Sequence, residues 1–213
     1  MITKFKLFES RMSDDDIHRI CKKYNIENYV INPDGSISVN GNVSLSHLYL
    51  EKMPLKFKDV SGYFICYNNK LTSLEGCPET VGCYFNCYNN KLTSLEGCPK
   101  SVGDGFYCHN NRLTSLEGCP DARTIYCTNN QITSFDGLPE FWEKDVYING
   151  NPVDEIYQLF NRDPKCIEWI REYDVIQGDK VSKHRLEEVF HTLNLEVPKN
   201  HVLRINLKNY KLI

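Results

Sequence analysis

An internal repeat constrains this chain more than any other feature. Four segments align with one another: YFICYNNKLTSLEGCP (63–78), YFNCYNNKLTSLEGCP (84–99), FYCHNNRLTSLEGCP (106–120) and IYCTNNQITSFDGLP (125–139). One asparagine keeps its register position at steps of 21, 21, 19 and 21 residues: Asn69, Asn90, Asn111, Asn130 and Asn151. A period of about 20 residues is typical of a solenoid in which each turn adds a short strand to a parallel sheet.

The repeats also predict which side chains form the core, because successive side chains of a strand point to opposite faces. The inward strand positions form two columns: Phe64, Phe85, Phe106, Ile125 and Val146, and then Cys66, Cys87, Cys108, Cys127 and Ile148. The register asparagine is expected to bond the backbone of the bend that follows each strand. A degenerate earlier turn places Leu45 one step of 21 residues before Cys66.

The pattern C-x-x-N-x-L-x-x-L-x-G-x-P resembles the short bacterial class of leucine-rich repeat, x-L-x-V-x-x-N-x-L-x-x-L-P, with Cys or Phe at two aliphatic sites. More narrowly, the chain is similar to repeat proteins of tailed bacteriophages. In those proteins a segment like KYNIENYVINPDGSISVNG (23–41) precedes the turns and one like NPVDEIYQLF (151–160) follows them. The resemblance implies a right-handed solenoid and a viral origin, and it implies no particular activity.

The two flanks are predicted to close the ends of the solenoid, which would otherwise expose its core. Residues 1–42 form the N-terminal cap, in which Ser13 begins a helix and Asn32-Pro33-Asp34-Gly35 is the turn of a hairpin. Residues 152–213 form a helical C-terminal cap, with helical spacing over 153–161, 164–175 and 182–193 and an alternating end over 202–207. The predicted fold class is therefore α/β, a short right-handed leucine-rich-repeat solenoid (43–151) with a parallel β-sheet and a cap at each end.

Ten cysteines need an explanation, since such a number often indicates disulfides in a secreted domain. Residues 1–10 contain no apolar run of the length that a signal peptide requires, so the expected compartment is a reducing cytoplasm. Thiols in a column about 4.8 Å apart form a row and not the tetrahedron that zinc needs. The cysteines are therefore predicted to be free core thiols, with disulfides or a metal site as the alternatives.

The outward strand positions are the candidate protein-binding residues, because the core does not need them. They are Tyr63, Tyr67, Tyr84, Asn86, Tyr88, Tyr107, His109, Tyr126 and Tyr147. Tyrosine combines a large apolar ring with a hydroxyl at low entropic cost and is enriched at interface hot spots. The alternative is that aromatic contacts between neighbouring strands only stabilise the sheet.

A basic column, Lys70, Lys91 and Arg112, is predicted beside this face and completes the candidate site. It is either a solvated row inherited by duplication or a surface that favours an acidic partner. Five strands of about four residues give a face on the order of 300 Å². A standard interface buries about 800 Å² per partner, so a partner must also contact an edge or a cap.

Net charge, apolar runs and motifs argue against several classes of function. The formal charge of -3 lacks the basic excess typical of nucleic-acid binding, and no apolar run is long enough to span a membrane. No catalytic, phosphate-binding or cofactor motif is present in the sequence, and the lone Cys166 belongs to none. The sequence therefore predicts a non-catalytic module without cofactor or metal that binds another protein, directed at a host protein in the host cytoplasm if the chain is viral. A virion or assembly component is the alternative, followed by an enzyme in the helical cap.

Overall fold

The computed structural model describes residues 12–139, 145–199, 202–203 and 206–213. The first eleven residues of the predicted N-terminal cap lie outside the described residues. The helices are α1 (Asp14–Lys23), α2 (Asp154–Leu159), α3 (Lys165–Glu172) and α4 (Lys183–Thr192). The strands are β1 (Tyr29–Ile31), β2 (Ile37–Val39), β3 (Val43–Ser44), β4 (Phe57–Val60), β5 (Phe64–Ile65), β6 (Thr80–Val81), β7 (Phe85–Asn86), β8 (Ser101–Val102), β9 (Gly105–Tyr107), β10 (Thr124–Tyr126), β11 (Asp145–Tyr147), β12 (Ile176–Gln177), β13 (Lys180–Val181) and β14 (Lys211–Leu212).

The repeats form a parallel-strand solenoid of about five turns. One strand from each turn enters a six-stranded sheet of order β11-β10-β9-β7-β5-β3, in which all neighbours are parallel. The register pairs equivalent residues of successive turns, as in Phe64 with Phe85 and Phe85 with Phe106. The degenerate first turn is confirmed, because Val43 of β3 pairs with Phe64 and Leu45 is fully buried.

The predicted core columns are confirmed in the interior, where both inward positions of the strands are buried from β5 to β10. Val146 of the last strand is an exception, since it is only half-buried. The phenylalanines stack on one another, with ring centroids 5.6 Å apart for Phe64 and Phe85 and 6.0 Å apart for Phe85 and Phe106. This continuous apolar stack supplies the burial that stabilises strands of only two or three residues, which would otherwise be marginal.

The register asparagines form a buried ladder that joins successive turns, as the sequence predicts. Asn111 donates through Nδ2 to the carbonyl oxygens of Cys108 (3.0 Å) and Cys87 (3.1 Å) and accepts from the amide of Leu92 (3.1 Å). The other four asparagines repeat this pattern. Each side chain thus satisfies backbone groups of two turns at a bend where the backbone alone leaves them unpaired.

A second sheet on the opposite side of the core was not predicted. It has the order β1-β2-β4-β6-β8, and the strands from β2 onward are parallel. Its inward residues Val60, Val81 and Val102 are buried against the same core. Phe57 of this sheet contacts Phe64 of the six-stranded sheet, with centroids 5.0 Å apart. The solenoid core therefore lies between two sheets.

The N-terminal helix and hairpin occur where they were predicted. Ser13 accepts from the amide of Asp16 at the start of α1, and Ile17 and Cys21 of this helix are fully buried. The hairpin strands β1 and β2 pair antiparallel, and β2 then pairs with β4. The hairpin thereby continues the five-stranded sheet beyond the first turn of the solenoid.

The C-terminal region begins directly after the last repeat with α2, followed by α3 and α4. The Tyr210 hydroxyl donates to the Thr133 carbonyl oxygen (2.6 Å), and Arg171 donates to that of Leu138 (3.4 Å). The predicted alternating end over 202–207 is wrong, because residues 202, 203 and 206 are helical and the final strand is β14. In the described parts of the chain, no helix combines the length and the apolarity needed to cross a membrane.

Candidate functional site

The outward side chains of the six-stranded sheet form two rows of rings, here called the tyrosine face. The first row runs through five rings, with successive centroids 5.2, 6.2, 4.9 and 4.3 Å apart: Tyr63, Tyr84, Tyr107, Tyr126 and Tyr147. The second row runs through four rings, with successive centroids 5.2, 4.5 and 4.5 Å apart: His47, Tyr67, Tyr88 and His109. The structure thus brings the predicted aromatic residues together, and it adds His47, which the sequence reasoning missed.

Most of these rings face one another instead of solvent. Five of the contacts are parallel stacks with interplanar angles of 4° to 17°. A ring stacked on both sides exposes its edge and its hydroxyl, and the edge carries the positive end of the ring quadrupole. The tyrosine face is therefore a surface of ring edges and hydroxyl groups. Tyr147 ends the first row and is the most exposed of its rings, at 41%.

At Gly105 the first aromatic row shifts by two residues along the strand. The outward site held by Tyr63 and Tyr84 is occupied in β9 by this glycine, and the row continues through Tyr107 two residues later. A Cβ atom on Gly105 would lie 2.7 Å from Cε2 and 2.9 Å from the hydroxyl oxygen of Tyr107. The missing side chain is thus what lets the Tyr107 ring lie across the strand and touch both Tyr84 and Tyr126.

We expect Gly105→Ala to displace the Tyr107 ring and interrupt the first row while the solenoid stays folded, because the ring can swing toward solvent. Ligand binding that uses this row should weaken about tenfold, the loss of one moderate contact of about 1.4 kcal/mol. Thermal melts and binding titrations of the variant measure the two effects separately. Lys58→Ala, at an exposed position on the five-stranded sheet, is the control and should bind as wild type does.

Burial and neighbouring groups keep the rings neutral. Desolvation raises the pKa of Tyr84 and of Tyr107, and the adjoining Tyr126 hydroxyl raises the pKa of Tyr147. Desolvation lowers the pKa of His109, whose Nδ1 is buried and lacks a hydrogen-bond partner among the described residues. At neutral pH the face therefore offers phenol donors and a neutral imidazole.

The two remaining outward positions in the middle of the face are Ile65 and Asn86, both half-buried. The side-chain oxygen of Asn86 accepts a hydrogen bond from the amide of Tyr88 (3.3 Å). Its Nδ2 group is the part of the side chain that could contact a partner. Neither residue interrupts the aromatic rows. The predicted binding residues of the sheet thus form one continuous surface.

A groove borders the second aromatic row and contains the predicted basic column. Lys70, Lys91 and Arg112 are exposed along it, and Nζ of Lys70 lies 5.7 Å from the ring centre of Tyr49. Asn68 and Asn89 also line the groove. They belong to a second asparagine row, which the sequence reasoning missed and in which φ lies between 52° and 55°: Asn68, Asn89, Asn110 and Asn129. Asparagine tolerates this left-handed conformation better than most residues, so the doubled Asn-Asn of each repeat was the available signal.

All ten cysteines are free thiols, and seven of them are buried as predicted. The prediction of core thiols is wrong for the exposed Cys83 and only partly met by the half-buried Cys98 and Cys119. Cys66, Cys87, Cys108 and Cys127 are fully buried, and burial raises the pKa of Cys127 to about 12. A protonated, desolvated thiol is a poor nucleophile at neutral pH. Within the described residues, no group of three His, Cys, Asp or Glu side chains is placed to hold a metal ion.

Thiol accessibility tests this placement. In native protein at pH 8 we expect a thiol reagent to modify the exposed Cys83 quickly and the half-buried Cys98 and Cys119 slowly, because the other seven thiols are buried. After denaturation without reductant, all ten should react. Rapid native modification of four or more thiols would contradict the buried columns, and fewer than ten after denaturation would indicate disulfides.

Cys166 has no catalytic surroundings among the described residues. It is fully buried in α3, and burial raises its pKa well above the ordinary range. Glu187, which the sequence places beside Glu188, forms an ion pair with Lys183 (3.0 Å) on the same helix.

Two stacked sheets, repeated bends and buried asparagine and phenylalanine columns define the class of this chain as a solenoid repeat protein. Comparison with protein-family models, with curated proteins and with solved structures gave no match. The function is therefore inferred from the surfaces of this molecule.

Proposed function

We propose that this chain is a non-catalytic, leucine-rich-repeat binding module that holds another protein on its tyrosine face. The observation that carries the proposal is the pair of continuous aromatic rows on the outward side of the six-stranded sheet. Stacking orders these rings in the free protein, so binding costs little further side-chain entropy. The hydroxyls and ring edges then supply directional contacts over a preformed surface.

The same stacking also stabilises the sheet, and both roles fit one set of residues. Binding is favoured because exposed cations border the second row. Lys70, Lys91 and Arg112 line one groove with His47 of that row and extend the surface beyond the roughly 300 Å² of the sheet itself. A partner that contacts both the face and this edge approaches the area of a stable interface.

The proposal includes the origin that the repeat motif suggests. We infer a right-handed solenoid encoded by a tailed bacteriophage, acting in the host cytoplasm on a host protein, with inhibition of a defence factor as one use of such binding. The flanking helix, hairpin and C-terminal helices act as caps in this account. They cover the first and last turns, where Tyr210 bonds Thr133.

Affinity capture from bacterial lysate, paired with mass spectrometry of purified virions, tests the proposal against a structural role. We expect the wild-type chain to retain one host protein in near-stoichiometric amount and the virions to lack the chain. A chain found at fixed copy number in virions would identify an assembly component instead.

A further inference from the structure

The groove beside the tyrosine face carries three exposed cations: Lys70, Lys91 and Arg112. None of them lies within ion-pair distance of a described carboxylate. Two other exposed lysines of the solenoid are paired, Lys56 with Asp34 (3.0 Å) and Lys100 with Glu79 (2.8 Å). The groove cations can therefore meet charges of another molecule.

The rest of the groove lining is uncharged and rich in donors. Nδ2 of Asn68 lies 3.1 Å from Nε2 of His47, and Nδ2 of Asn89 donates to Oδ1 of Asn68. Each amide uses one N–H within the row, which leaves its second N–H for a ligand. No carboxylate lines the groove among the described residues. Cations, amide N–H groups and positive ring edges all favour a negatively charged ligand.

The dimensions and surroundings of the groove indicate which anion fits. One cation per turn, at about 4.8 Å per turn, forms a strip roughly 10 Å long, which suits a peptide segment better than a folded surface. The same turns carry Glu75, Glu96 and Glu117 on their other side, and the whole chain has a net charge of -3. A long uniform polyanion such as nucleic acid would be repelled by these acids, whereas a short carboxylate-bearing segment would not.

We propose that the groove binds an acidic peptide segment of the partner, with its carboxylates on Lys70, Lys91 and Arg112. This inference rests on the proposed function and specifies the chemistry of the partner. The groove anchors the acidic segment along the edge of the solenoid, and the tyrosine face contacts the adjoining residues. Because these ion pairs are exposed, they add modest affinity, accelerate association and weaken with salt.

A fluorescently labelled oligoglutamate of about four residues, which spans about 13 Å when extended, is the probe. Binding to the full chain is followed by anisotropy at low and high salt. Lys70→Gln with Lys91→Gln and Arg112→Gln should weaken binding at least tenfold, and raised salt should weaken wild-type binding. The control, Lys22→Gln with Lys58→Gln and Lys180→Gln, removes the same charge from exposed sites elsewhere and should bind as wild type does. Thermal melts establish that both variants are folded.

Three results would overturn the inference. They are absence of wild-type binding to oligoglutamate, equal binding by the groove variant, and tighter groove-dependent binding of an oligouridylate of equal length. Capture of the host protein by the two variants distinguishes failure of this inference from failure of the proposed function. If the groove variant captures the host protein normally while a tyrosine-face variant does not, the binding function stands and the acidic segment is wrong. If neither variant changes capture, both proposals are wrong.

Discussion

Tyr107→Ala combined with Tyr126→Ala should weaken capture of the partner by roughly a thousandfold. These rings stack on each other with centroids 4.9 Å apart in the middle of the first aromatic row. Truncation of an interface hot spot typically costs about 2 kcal/mol or more, and two such losses that add correspond to this factor. Titration of the purified partner against wild type and variant measures the change.

The control for this prediction must separate binding from stability. Cross-strand aromatic pairs contribute up to about 1 kcal/mol to stability, so the variant should melt only a few degrees below wild type. Tyr24→Ala with Tyr173→Ala removes two half-buried tyrosines away from the tyrosine face and should leave affinity unchanged. Reversal of Glu96 and Glu117 on the far side of the turn should also change affinity little. A tyrosine-face variant that melts normally and binds normally would show that the partner uses another surface.

Asn111→Ala should lower the free energy of unfolding by about 2 kcal/mol. The substitution leaves the amide of Leu92 without a partner at a buried bend. The carbonyl oxygens of Cys87 and Cys108 each lose one bond and keep the bond from Asn90 and from Asn130, respectively (3.1 Å each). Each buried group left unpaired costs about 1–3 kcal/mol. With a urea m-value of about 3 kcal/mol/M, the unfolding midpoint should fall by about 0.7 M.

Asn110→Gly is the matched control for this change. The neighbouring Asn110 has a φ of 55° and an exposed side chain that accepts from Asn129 (3.0 Å). Glycine keeps this left-handed backbone, and the loss of an exposed amide bond should change stability by less than about 0.5 kcal/mol. Equal urea midpoints for the two variants would contradict the account of the buried ladder.

The sequence predicted the interior of the solenoid well because the repeat specifies it many times over. Columns such as Phe64 and Phe85 keep one spacing and one chemistry, so each turn confirms the alignment of the next. Three strands of the five-stranded sheet, β4, β6 and β8, escaped prediction because they are two to four residues long and lie outside the segments that align as repeats. Their signal was the 21-residue spacing of Val60, Val81 and Val102, which only a search for further columns reveals.

The geometry of the candidate site was less predictable. The sequence placed the tyrosines on one face and the basic column beside it, and the structure agrees on these positions. The sequence could not show that neighbouring rings cover one another's faces, since ring orientation depends on packing. The change of position at Gly105 likewise follows from the space that a missing side chain leaves, which no periodic pattern encodes.

Site-specific photo-crosslinking tests the central claim most directly, because it works before the partner has been identified. A photoreactive phenylalanine analogue is placed at Thr128, which follows His109 on the tyrosine face, or at Thr80, which is exposed on the five-stranded sheet. On illumination in host lysate, the Thr128 position should yield one defined protein adduct and the Thr80 position none. A defined adduct from Thr80 alone would contradict the account and place the binding surface on the opposite sheet.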